Sequence, residues 1–215
     1  MPTPINKAII KAIKKHGVIR LRDLQNKGFH SEQVRRLADQ GLITRVGRGL
    51  YALTDRDFSE HFDLSLVASR VPHGVVCLIS ALHFHGIGTQ LPHAVWIAVD
   101  RNAAVPASTY PPVRVFRVST ASFTTGVEEH RVDKVPMRVF TPAKTVADCF
   151  RYRNKIGIDV AIEALDECLR DRRCRPDDIW AFAAVCRVTS VIRPYMEALL
   201  SRLSGQRSGH LRAWN

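Results

Sequence analysis

Between Ile19 and Leu53 the chain reads IRLRDLQNKGFHSEQVRRLADQGLITRVGRGLYAL, a stretch whose punctuation leaves room for few folds. A short helix is expected over Leu21–Lys27, with Leu21 and Leu24 inward and Gly28 closing it. A second is expected over Ser31–Gln40, capped by His30 or Ser31 and ended by Gly41. In that helix Val34, Leu37 and Ala38 recur at the i, i+3, i+4 spacing of a buried stripe, and Leu42 follows one turn on. Gln33, Arg35, Arg36 and Gln40 fall on the other side. Two apolar strands, Leu42–Val46 and Leu50–Leu53, then meet at Gly47-Arg48-Gly49, where the glycines permit a tight turn with Arg48 at its tip. Two short helices followed by such a hairpin are the outline of a winged helix-turn-helix. The Arg/Gln face of the second helix has the size and chemistry to enter a major groove. Arg45 and Arg48 stand where a wing reaches phosphates or the adjacent minor groove.

A first helix precedes this stretch. Thr3-Pro4 supplies an N-cap and a proline at the first helical position, Ile5, Ile9, Ala12 and Ile13 form the buried stripe, and Gly17 closes it. After Leu53, the polar run Thr54–His61 reads as a short connection. The remainder is first mixed and then helical. Helices are expected over 62–71, with Phe62, Leu66 and Val67 inward, and over 78–85, closed by Gly86. Strands are expected over 93–99 and 113–118, with a hairpin over 126–140 turning at Asp133-Lys134. Thr141-Pro142 then repeats the cap-and-proline start of a helix through Phe150. Further helices are expected over 158–172, from Arg175 onward, and over about 191–203. The fold class is therefore α+β: an N-terminal winged helix-turn-helix domain over 1–57, then a larger α+β domain over 58–203, with a mixed or antiparallel sheet followed by helices. A small, polar, basic tail over 204–215 is expected to be disordered.

Charge narrows the class of partner. The chain carries a net +12, and half of that excess lies in the first sixty residues, where twelve basic side chains face six acidic ones. Clustering of this kind fits a polyanion. The five cysteines are odd in number and lack C-x-x-C spacing, which argues against a disulfide framework or structural zinc. Cys149, Cys168 and Cys186 lie in apolar helical patterns, as buried reduced thiols do. No apolar run reaches the roughly 20 residues that span a bilayer. The amphipathic start, MPTPINKAIIKAIKKHG, lacks a signal-peptide core, so a cytoplasmic address and no membrane partner are expected.

Four stretches taken in order, HGVIRLRDLQNKG, QVRRLADQGLITRVGRGLYAL, LISALHFHG and TPAKTVADCF, resemble the AbiEi family of antitoxins from type IV toxin–antitoxin systems, found in bacteria and often linked to phage resistance. The resemblance implies a repressor whose winged helix binds inverted repeats upstream of its own operon. It further implies a C-terminal domain that counters a neighbouring nucleotidyltransferase-type toxin, without a stable complex between the two. Carried to this sequence, the recognition-helix role falls on Ser31, Gln33, Arg35 and Arg36, and the wing role on Arg45 and Arg48. Two inverted half-sites admit either a dimer or two monomers.

Catalytic constellations are missing from the sequence. His83 and His85, two apart on a helix, point about 200° apart rather than at one ion. In Glu128-Glu129-His130, on a strand, neighbours alternate faces. No H-E-x-x-H, G-x-S-x-G, phosphate loop or dinucleotide fingerprint occurs. Lys144 and Asp148, at i and i+4, read as a surface salt bridge worth a few tenths of a kcal/mol, roughly. The reading is thus of a protein that is not an enzyme, with no metal and no cofactor. Double-stranded DNA is its partner, contacted by Arg20, Arg22, Ser31, Gln33, Arg35, Arg36, Arg45 and Arg48. The alternative is an interaction module that binds a toxin or other partner directly, without sequence-specific DNA binding.

Overall fold

The computed structural model describes residues 4–106 and 110–210, the stretch 205–210 by its backbone alone. The expected cap at Thr3 and the tail residues 211–215 lie outside the described residues. The fold is α+β with two separate sheets. Contacts sort the chain into two units: Met1–Gly74 with Ala103–Arg114 and Glu129–Arg138, and Val75–Asn102 with Val115–Glu128 and Val139–Asn215.

The first unit begins with α1 (Pro4–His16), β1 (Ile19–Arg20), α2 (Leu21–Asn26), α3 (Ser31–Asp39), β2 (Ile43–Gly47) and β3 (Leu50–Leu53). Ile9 and Ile13 of α1, Leu24 of α2 and Val34 and Leu37 of α3 converge with Ile19 and Ile43 in one buried cluster. Ile5, expected in that stripe, is 47% exposed because it lies a full turn before Ile9, at the start of α1. The strand β1 escaped the sequence pattern: two residues carry no periodicity. It pairs antiparallel with β3, Ile19 opposite Tyr51, and gives a sheet in the order β1-β3-β2. The β2–β3 register shifts between Arg45 and Gly47, and Gly49 closes the turn at φ +68°.

This unit continues past residue 57. Leu66 of α4 (Phe62–Arg70) and Val135 share a second buried cluster with Val18, Leu50 and Ala52. Val135 opens β8 (Val135–Phe140), which follows β7 (Val127–Val132) across the turn Asp133-Lys134. Both turn residues have left-handed φ, 51° and 67°, as a two-residue hairpin turn requires. The Asp133 carboxylate accepts hydrogen bonds from Arg56 Nη2 at 3.1 Å and Ser59 Oγ at 2.9 Å, while Lys134 Nζ donates to the Lys14 carbonyl at 3.1 Å. Gly17 lies so close to the Asp133 carbonyl that an added Cβ would stand 1.8 Å from its oxygen. The polar connection at 54–61 is thus pinned at two of its side chains.

In the second unit α5 (Leu78–His85) ends at Gly86 in the left-handed region, as expected. The second sheet of the chain has five strands, ordered β6-β5-β4-β8-β7, and takes in β4 (Val75–Val76), β5 (Val95–Asp100) and β6 (Val113–Val118). Helices α6 (Thr120–Thr124), α7 (Pro142–Arg151), α8 (Arg153–Ile156), α9 (Ile158–Arg170), α10 (Pro176–Cys186) and α11 (Thr189–His210) make up the rest. The last helix runs to His210, beyond the expected end near 203 and through Pro194. Among the described residues no helix is long and apolar enough to cross a membrane.

Helix α7 starts as its sequence dictates, with Thr141 Oγ1 accepting the Lys144 N–H at 3.3 Å and Pro142 at the first position. Its environment is not what the sequence suggested. Every residue from Ala143 to Phe150 is buried, and α5, α9, α10 and α11 all contact the helix. The pair Lys144–Asp148, expected at the surface, is therefore in the core, its Nζ–Oδ2 distance 2.5 Å and Lys144 wholly buried. Spacing of i and i+4 brings the pair together in either setting; the neighbours decide which. Lys144 Nζ also meets Ser122 Oγ at 3.3 Å and lies 4.3 Å from the Phe140 ring centroid, and Cys186 Sγ donates to Asp148 Oδ1 at 3.2 Å. Each charge is thereby saturated, the condition under which buried ions are tolerated.

All five cysteines are buried and reduced, as expected for Cys149, Cys168 and Cys186. Burial, then the Asp148 carboxylate, pushes the Cys186 thiol up to about 12, and burial raises Cys77 and Cys149 as well. In the native protein at about pH 8, Ellman's reagent should titrate almost no thiol; all five should appear once denaturant is added. Lys144→Met should cost about 3–5 kcal/mol in urea unfolding by stranding Asp148, and Lys144→Met with Asp148→Leu should recover most of the loss.

Candidate nucleic-acid interface

The rotation of α3 is fixed by Val34 and Leu37, both fully buried. Arg35 and Arg36, the two positions between them, are left with side chains 70% and 73% exposed, and Ser31, Glu32, Asp39 and Gln40 are exposed as well. The two guanidiniums share one acceptor: Arg35 Nη2 and Arg36 Nε each lie 3.4 Å from Glu32 Oε1. Exposed pairs of this kind contribute about 0.2–1 kcal/mol each to stability, so they orient the arginines more than they hold the fold.

Gln33 has a different position from its neighbours. Half-buried, it turns back so that its amide oxygen accepts the His30 backbone N–H at 3.0 Å. His30 is the N-cap, with extended backbone (φ −81°, ψ 144°). The reach-back from the third helical position is one half of a capping box. Arg20 also differs from the other arginines. It lies in β1, its side chain 27% exposed, and its Nε is 2.7 Å from Asp23 Oδ2, a bond that ties β1 to the first turn of α2. Arg22, by contrast, is 73% exposed with only a 3.9 Å approach to Asp23.

The wing places Arg48 at the turn between β2 and β3, exposed, and Arg45 on β2, where Nε donates to the Gly47 carbonyl at 3.4 Å. Between α3 and the wing runs a furrow of about 630 Å³ lined by Ser31, Glu32, Arg35 and Asp39 on one side and Thr44 and Arg45 on the other. The structure thus brings Ser31, Arg35 and Arg45 to one furrow, whose lining does not include Arg22, Arg36 and Arg48. Sequence reasoning missed Glu32. The signal was present, because an acid followed by arginines three and four residues on is the standard helical pair.

Among the described residues no group of three or more His, Cys, Asp or Glu is placed to hold a metal ion. The nearest suspicion, His85, is occupied otherwise, its Nε2 lying 2.8 Å from the Phe140 carbonyl oxygen.

Residues 7–54, the span of this helix–wing assembly, match the profile of a family described as transcriptional regulator, AbiEi antitoxin. The head matches the AbiEi regulators. The match covers the segment from α1 to the end of the wing and supports a regulator role of the toxin–antitoxin kind. No curated protein matches the chain. Among solved structures, the RV2827C protein from Mycobacterium tuberculosis superposes with a TM-score of 0.55, covering 91% of this chain and 80% of that one at 15% identity. At that identity the likeness is one of fold.

The cap reading of Gln33 can be separated from base reading. Gln33→Ala should lower the stability of the head by about 1 kcal/mol in thermal or urea unfolding. Arg35→Ala, at an exposed site, should leave stability within about 0.5 kcal/mol of the parent.

Proposed function

We propose that this protein is a DNA-binding transcriptional repressor acting as the antitoxin of a type IV toxin–antitoxin system. It binds inverted repeats upstream of its own operon through the head, residues 1–57, while residues 58–203 counter a nucleotidyltransferase-type toxin. A cytoplasmic site of action and a part in phage resistance go with that role. The observation that carries the reading is the exposed Arg35–Arg36 face of α3 beside an arginine-tipped wing, within a segment that matches an antitoxin regulator family.

The mechanism follows from side-chain chemistry. Arg22, Arg45 and Arg48 neutralise phosphates and supply the salt-dependent part of the affinity. Arg35 and Arg36 offer bidentate donors to guanine O6 and N7, each good pair worth about 1–3 kcal/mol of discrimination, with Ser31 and the remaining donors of Gln33 beside them. Arg20, tied to Asp23, serves by setting the angle of α2.

Gel-shift titration on DNA upstream of the gene, against random duplex, tests this reading. Arg35→Ala or Arg36→Ala should weaken specific binding more than non-specific binding. Arg48→Ala should weaken both together and flatten the salt slope by about one unit. Equal affinity of the unmodified chain for both duplexes overturns base readout. Salt-stable co-purification with the neighbouring gene product would then favour a direct protein-interaction role.

A further inference from the structure

Two arginines at adjacent positions on a surface meant to meet DNA would, left alone, be drawn to any phosphate. In this structure they are not left alone, because Glu32 Oε1 holds both, Arg35 through Nη2 and Arg36 through Nε, at 3.4 Å each. Glu32 lies in the first turn of α3, where the helix dipole favours an acid, and it is itself half exposed. Its bond to Arg36 uses Nε, which leaves the terminal Nη1–Nη2 fork to face a guanine edge. Its bond to Arg35 uses one terminal nitrogen and leaves Nε and Nη1.

A carboxylate in this place has two further consequences. It repels the phosphate backbone, which lowers affinity for every duplex without regard to sequence. In the major groove, the base-edge group suited to a carboxylate acceptor is the N4 amino group of cytosine. Cost to all sequences and reward for a few is how discrimination is obtained. We propose that Glu32 is a specificity-determining residue of the α3 surface: it positions Arg35 and Arg36 for base contact and penalises duplexes that offer only phosphate. This rests on the base-reading role given to α3 above.

Fluorescence anisotropy with the full chain tests it, on two labelled duplexes: DNA upstream of the gene and a shuffled copy of the same composition, over a range of salt. Glu32→Gln should tighten binding to the shuffled duplex by about three- to tenfold and gain less on the upstream duplex, so that discrimination falls about fivefold. Glu32→Asp keeps the charge but is one methylene too short to hold both guanidiniums. It should stay weak on the shuffled duplex and lose affinity for the upstream one, which a plain charge effect would not do. Equal tightening of Glu32→Gln on both duplexes at every salt, or no change on either, overturns the proposal. The unmodified chain reports separately on the reading beneath it: no preference between the two duplexes removes base readout, and the role of Glu32 with it.

Discussion

Burial of Val34 and Leu37 against Ile9, Ile13, Leu24 and Ile43 sets the rotation of α3 about its own axis. A helix has one such freedom, and two fully buried side chains three residues apart remove it. Once they are seated, Arg35 and Arg36 have nowhere to go but outward, and Glu32 comes round to the same side one turn earlier. The chemistry of the exposed face is therefore a consequence of packing underneath it. A polar side chain substituted at either buried position would disturb the presentation of the arginines without touching them.

The first unit shows how a small head is completed by distant sequence. Three helices and a three-stranded sheet enclose one cluster, and a second cluster forms only when Leu66 and Val135 are added. The hairpin turn at Asp133-Lys134 supplies polar fastening as well, through Arg56, Ser59 and the carbonyl of Lys14. Gly17 is what permits that approach, since any Cβ there would collide with the Asp133 backbone. Residues more than a hundred positions apart thus close on each other with nothing in the local pattern to announce it.

In the second unit the central element is α7, buried on all sides with an ion pair inside it. The pair is stable there because Ser122, Cys186 and the Phe140 ring complete its contacts. A buried pair stabilises less than apolar packing of the same volume would, but it strongly disfavours any arrangement that separates its partners. Such a pair gives α7 a single acceptable seat.

Local pattern determined a good deal. The apolar spacing of α1 and α3, the glycines at the wing, the Thr141-Pro142 start and the place of the hairpin turn at 133–134 each depend on a few neighbouring residues, and each was legible in the chain. The outward placing of Arg35 and Arg36 was legible for the same reason. What tertiary structure alone decided was environment and partnership: that Lys144–Asp148 is enclosed rather than solvated, that Arg20 is held at 2.7 Å from Asp23 while Arg22 stands 3.9 Å from it and exposed, that a two-residue strand completes the sheet, and that the tip of a distant hairpin belongs with the head. Periodicity fixes which way a side chain points along its own element, whereas the medium it meets there depends on segments far away in sequence, and a single chain carries no local record of those.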